Sequence, residues 1–172
     1  MSYFIIIRGP AGVGKTTIAN ALAKTLHGFH ISIDSILAQH GLDYVPGDSC
    51  VPEHKMLAAN KIVVPVAQKK LAAGQIVIFD GNFYHKSQIE DLTAALGYPS
   101  FVFTLKADLE TCLARNKART VPLQEQGVKD VFELVSQFDY GVLVNTNNKT
   151  VEKVVREIIT GLVGIKDAYR ND

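Results

Sequence analysis

Short apolar runs alternate with amphipathic stretches along the whole chain. Residues 3–7, YFIII, are an apolar, largely β-branched run of the kind a buried strand needs. IANALAKTL follows, with Ile18, Leu22 and Leu26 at helical spacing and alanines in the turns between them. GFHISID predicts a second strand, in which Phe29, Ile31 and Ile33 alternate and Asp34 closes the run, and SILAQHGL a short helix. Residues 43–52 carry two prolines and a glycine and read as a loop. A long helix is expected over about Glu53 to Ala73, with Met56, Leu57, Ile62, Val63, Val66 and Leu71 on its apolar face and Gly74 as its stop. Pro65 lies inside it and predicts a kink or two helices meeting there.

QIVIFD predicts strand three, ending in Asp80, and SQIEDLTAAL a helix closed by Gly97. PSFVFTL is strand four, and DLETCLARNKA is a helix with Asp108 as N-cap. The polar loop RTVPLQEQG leads into the helix VKDVFELVSQF, strand five is YGVLVN, and TVEKVVREIITGL closes the chain. Strands alternating with helices imply an α/β fold: three layers, α/β/α, around a five-stranded parallel sheet, in one domain spanning residues 1–172.

Between the first strand and the first helix stands RGPAGVGKTT. Gly9, Gly14, Lys15 and Thr16 fill the fixed positions of G-x-x-x-x-G-K-[ST], the phosphate-cradling P-loop. Its glycines let backbone N–H groups approach phosphate oxygens, and the helix N-terminus adds positive potential. A nucleoside triphosphate is therefore expected on Gly9, Ala11, Gly12, Val13, Gly14, Lys15, Thr16 and Thr17, with Lys15 at the outer phosphates and the Thr16 hydroxyl on Mg²⁺.

Composition narrows the partners. The chain has 172 residues, 47% hydrophobic and 20% charged, with a formal net charge of +1, so no global field recruits nucleic acid or an acidic membrane. A local basic groove stays open. Cys50 and Cys112 lack metal-ligand spacing and suggest no disulfide framework. No apolar run is long enough to span a bilayer, and Met1 leads straight into the first strand, so a cytoplasmic location is the expectation.

In doubly wound sheets ligands bind beyond the carboxyl ends of the strands. That rule gathers Arg8 and the P-loop, Asp34, Asp80 and Asn145–Asn148 at one crevice. Of two carboxylates beside a triphosphate, one can support Mg²⁺ and the other can take a proton from an attacking hydroxyl. Either aspartate alone could equally be a turn or capping residue. Which of the two serves as base is left open by the sequence.

The P-loop, the aspartates of IDSIL and VIFDGNF and the arginine pair of CLARNKAR together resemble the small P-loop kinases. The likeness is greatest to the group of chloramphenicol phosphotransferase, polynucleotide 5′-kinases and zeta-toxin-type kinases, with shikimate kinase more distant. It implies ATP and Mg²⁺, Asp34 as general base, and Asp80 at the strand-three acidic position, sharing the metal with Thr16. It further implies Arg119 as the arginine of a mobile lid over about residues 115–128, Arg115 at the base or phosphates, and the loop Asn145, Thr146 and Asn147 beside the adenine. Ser32 stands where shikimate kinase has a metal-associated aspartate, and DGNFY departs from its substrate segment, so shikimate itself is not expected.

Arg115 and Arg119 are four apart and share a face if the helix continues that far. Between Arg8 and Arg115 there is no arginine. Nucleoside monophosphate kinases commonly grip the acceptor phosphate with arginine forks from that region. Here that region offers only lysines (Lys55, Lys61, Lys69, Lys70 and Lys86), which can replace arginine at a phosphate. The strand ends offer Asp34, Asp80, Asn82, Phe83, Tyr84 and His85, a set suited to a neutral hydroxylated small molecule. The leading expectation is transfer of the γ-phosphate of ATP to an alcohol, with Lys15, Asp34 and Arg119 as catalytic groups. The rivals are a nucleoside monophosphate kinase, a polynucleotide 5′-hydroxyl kinase, and an ATP-binding switch or assembly factor with no acceptor.

Overall fold

The computed structural model describes residues 2–43 and 50–168, the last four by backbone alone. Residues 44–49 of the expected 43–52 loop lie outside the described residues. Five strands, β1 (Phe4–Arg8), β2 (Phe29–Ser32), β3 (Val77–Gly81), β4 (Ser100–Lys106) and β5 (Val142–Asn145), form one sheet in the order β2-β3-β1-β4-β5. Every neighbouring pair is parallel. The helices are α1 (Lys15–Leu26), α2 (Ile33–Gln39), α3 (Glu53–Ala72), α4 (Lys86–Leu96), α5 (Leu109–Lys117), α6 (Glu125–Ser136) and α7 (Val151–Ala168).

β1 is buried throughout, and its alternating side chains feed two cores. Ile5 and Ile7 join Ile18 and Leu22 of α1 and Ile158 and Leu162 of α7 on one face. Phe4 and Ile6 join Met56, Val63 and Leu71 of α3 and Ile89 and Leu92 of α4 on the other. Register aligns the carboxyl ends: Arg8 lies opposite Gly81 and Thr104, Ser32 opposite Asp80, and Lys106 opposite Asn145. The residues that follow these ends surround one crevice.

Local signals placed several boundaries. Asp108 caps α5, its carboxylate accepting from Thr111 N at 2.7 Å, and Gly97 ends α4 in the left-handed conformation. Three expectations need correction. The second strand stops at Ser32, so Asp34 lies in the first turn of α2 instead of at a strand end. α3 is one helix through Pro65, which is exposed, so of the two alternatives expected there, that of two separate helices is the one corrected. Its buried face is Met56, Ala59, Asn60, Val63, Ala67 and Leu71, whereas Val66 is exposed. Small residues let α3 pack closely against α4, and that moves the face away from the larger Val66.

Candidate active site

The loop between β1 and α1 is shaped by packing beneath it. Gly12 has φ +82°, and a Cβ there would sit 2.2 Å from the Cys112 carbonyl oxygen, so only glycine lets the loop lie on α5. Gly14 ends the loop in the left-handed region with no side chain capping α1. The first amides of α1 are thus left for an anion. Arg115 of α5 braces the loop from the side, donating to Val13 O at 3.0 Å and to Thr146 Oγ1 and O at 3.0 and 2.9 Å.

Above the loop opens a cleft of about 730 Å³. The loop residues from Ala11 to Thr17 line it, with Arg115, Thr146 and Lys149 at the β5 side, Asp34, Leu37, Asp43, Val51 and Asn82 from the segments after β2 and β3, and Arg119 from the α5–α6 turn. Lys15 is buried in its floor and donates to Pro10 O at 3.0 Å and to Asn82 Oδ1 at 2.9 Å. Burial lowers its pKa, against the raising influence of Asp34 and Asp80. Thr16 Oγ1 donates to Asp80 Oδ2 at 2.7 Å, and the imidazole Nε2 of His30 meets Asp80 Oδ1 at 2.5 Å.

Asp34 is open to the water of the cleft, although protein surrounds it on the other sides. Desolvation by those walls raises its carboxyl above the ordinary range; Lys15 opposes the shift and Asp80 adds to it. Because water reaches the carboxylate in the open cleft, that push grows when a ligand displaces the water.

The structure brings together Ala11, Gly12, Val13, Gly14, Lys15, Thr16, Thr17, Asp34, Asn82, Arg115, Arg119 and Thr146. Asp80 is fully buried below them, reached through Thr16. Other expected residues stand elsewhere. Gly9 lies below the loop against Leu105. Phe83 and Tyr84 are buried in the α3–α4 core and do not line the cleft. Asn145 is exposed and turns back to accept from Asn147 N at 2.8 Å.

Arg8 turns away from the crevice. Fully buried, it donates to Phe83 O, Thr104 Oγ1, Phe138 O and Val135 O at 3.1–3.2 Å, with its guanidinium 4.2 Å from the centre of the Phe138 ring. Burial lowers its pKa to about 10. Arg119 lies beyond the end of α5, capped at Ala118, so it shares no helix face with Arg115. The turn after it is tied at its base by Asn116, which donates to Leu123 O at 2.9 Å and accepts from Leu123 N at 3.1 Å.

Sequence reasoning missed Lys149, Asp43 and His30. Lys149 follows a strand end and was open to the crevice rule. Asp43 and His30 had no local signal, since each reaches the site only through the tertiary fold.

A P-loop on the central strand of a five-stranded parallel sheet, with a buried lysine and an acidic cleft wall, defines a P-loop kinase-like protein. Residues 4–135 match the family model described as AAA domain, and the chain belongs to that family. It is 28% identical over 163 residues to a Pyrococcus furiosus protein provisionally named adenylate kinase, covering 90% of this chain and 81% of that one. A gluconokinase from Sinorhizobium meliloti superposes with a TM-score of 0.70 at 16% identity, over 98% of this chain and 96% of that one. Shikimate kinase from Acinetobacter baumannii, in complex with shikimate, gives 0.62 at 19% identity, over 96% and 94%. These likenesses establish the kinase-like fold and leave the acceptor unspecified. Among the described residues no helix is long and apolar enough to cross a membrane.

Proposed function

We propose that this protein transfers the γ-phosphate of ATP to a hydroxyl of an uncharged or amine-bearing small molecule. One observation carries the reading: among the described residues, the lining of the acceptor side of the cleft holds carboxylates and no lysine or arginine. Its described lining is Asp34, Leu37, Asp43, Val51 and Asn82, and no lysine or arginine occurs from residue 25 to residue 54. Arg8, which could have reached a second phosphate, is committed to the core.

In this reaction the P-loop amides and Lys15 hold the triphosphate, and Asn82 keeps the ammonium at the cleft floor. Asp34 takes the proton of the acceptor hydroxyl as its oxygen bonds to the γ-phosphorus. The bond from that phosphorus to the bridging oxygen breaks, and ADP leaves. Arg119 neutralises charge on the transferring group from the α5–α6 turn. Thr16 and Asp80 suit a magnesium site, because a buried carboxylate that accepts the hydroxyl's hydrogen bond leaves the oxygen lone pairs of Thr16 free. Bound there, Mg²⁺ would draw charge from the phosphate oxygens.

A nucleoside monophosphate acceptor is the second reading, favoured by the provisional adenylate kinase name of the archaeal relative. It lacks an anion-binding group on the described acceptor wall; Lys55 stands nearby, its ammonium 3.3 Å from the Asp43 carbonyl. An ATP-consumption screen over polyols, amino alcohols, nucleosides, oligonucleotide 5′ ends and AMP separates the readings. Turnover with an alcohol, lost in Asp34→Asn while ATP still binds, is the expected result. Turnover confined to AMP would overturn it.

A further inference from the structure

β2 and β3 are paired in parallel with Ser32 opposite Asp80 and His30 opposite Ile78. Side chains alternate across a sheet, and Ile31 and Phe79 both enter the α3–α4 core. His30 and Asp80 therefore share the other face, the one that α1 covers and from which Thr16 approaches. Three side chains from three elements meet there. The imidazole Nε2 of His30 lies 2.5 Å from Asp80 Oδ1, and Thr16 Oγ1 donates to Asp80 Oδ2 at 2.7 Å. Asp80 has no solvent exposure, while the His30 side chain keeps 18% of its own.

We propose that His30 is a positioning residue for the divalent cation site, acting through Asp80 on Thr16. The inference rests on the reading that Thr16 and Asp80 serve a metal. An ionised carboxylate only accepts, so its two oxygens need two donors. With Oδ1 held by the imidazole, the carboxylate cannot rotate, and Oδ2 faces the Thr16 hydroxyl. The hydroxyl proton then points inward and the oxygen lone pairs point into the cleft, the orientation a hard cation requires. Remove the imidazole donor and Asp80 is free to turn, and Thr16 loses its fixed acceptor. Partners that orient metal ligands in this way carry much of a site's affinity.

The probe is Mn²⁺ binding to the full chain saturated with ADP, followed by the electron paramagnetic resonance of free Mn²⁺, which needs no acceptor and no turnover. His30→Phe keeps a ring without the donor, and His30→Asn keeps a donor too short to reach Asp80. Both are expected to weaken Mn²⁺ binding by ~10–100-fold. His30→Gln carries an amide nitrogen with about the reach of Nε2 and is expected to bind within roughly threefold of the native protein. Native-like Mn²⁺ affinity in the Phe or Asn variant would overturn the proposal, as would a Gln variant as weak as Phe. If the native ADP complex takes no Mn²⁺, the metal reading itself fails. If the native complex binds and all variants match it, only the role of His30 fails.

Discussion

Lys15 and Asn82 meet at 2.9 Å across the floor of the cleft, joining the first residue of α1 to the segment that follows β3. Among the described residues the ammonium is held by an amide oxygen and a carbonyl with no carboxylate in hydrogen-bond contact, and burial disfavours its charge. A lysine whose pKa is lowered in the fold weakens the folded state at every pH below its ordinary value of 10.5, neutral pH included. Lys15→Met is therefore expected to melt no lower than the native protein while losing turnover by at least ~10²-fold. Calorimetric melting and ATP-consumption rates check the two halves separately. A variant that melts markedly lower would contradict the burial argument.

Asp34 gives a prediction in pH. Its carboxyl is raised by desolvation and by Asp80, against the pull of Lys15. A base works ionised, so turnover falls as pH falls through the raised value, and the acid limb of kcat/KM should lie above the ~3.9 of a free aspartate. Because a raised carboxylate costs the fold stability once ionised, Asp34→Asn should melt no lower at neutral pH. An acid limb that persists unchanged in the residual activity of Asp34→Asn would remove Asp34 as the base.

Gly12 tests the support beneath the loop. A methyl group 2.2 Å from the Cys112 carbonyl oxygen cannot be accommodated without moving α5 or the loop. Gly12→Ala should cost a few kcal/mol of stability, on the scale of overpacked or strained backbone sites. It should also weaken ATP binding, since Val13 and Thr146 are tied to the same helix through Arg115. Urea unfolding and isothermal titration with ATP measure both; native values in each would show the loop to be softer than its packing implies.

Arg8→Met removes a guanidinium that serves three backbone carbonyls, those of Phe83, Val135 and Phe138. At about 1–3 kcal/mol for each buried acceptor left without a donor, and with some relief from removing a buried charge, the expected loss is about 3–5 kcal/mol. Denaturant melts are the measurement. A loss below about 1 kcal/mol would mean that water or relaxation replaces the arginine.

These contrasts show which parts of the molecule local sequence encodes. The strand runs, the P-loop, the Asp108 cap and the Gly97 stop depend on neighbours within a few residues, and the structure has each of them. Asp34 was read as a strand end because Ile31 and Ile33 continue the alternation; Ile33 is buried in either conformation, so the pattern could not tell strand from helix start. Arg8 was assigned to the crevice by its place at a strand end. Its side chain obeys the alternation instead and falls on the face of Phe4 and Ile6, among the residues of α6. The His30–Asp80 contact joins residues 50 apart in the chain, and no local pattern of either residue announces it.

The unequal charge of the two cleft walls has a consequence for the end of a turnover. Under the proposed reaction the acceptor arrives neutral or cationic beside Asp34 and Asp43 and acquires a dianionic group there. The wall that received a neutral or cationic molecule then faces a dianion, which Asp34 and Asp43 oppose while Lys15, Lys55 and Arg119 hold it. ADP stays on the cationic side, with Lys15, Arg115 and Lys149. Asp34 and Asp43 favour departure of the phosphorylated product, against the hold of Lys15, Lys55 and Arg119. The carboxylates that select the acceptor thereby also quicken the product's departure, while the reactants alone set the equilibrium.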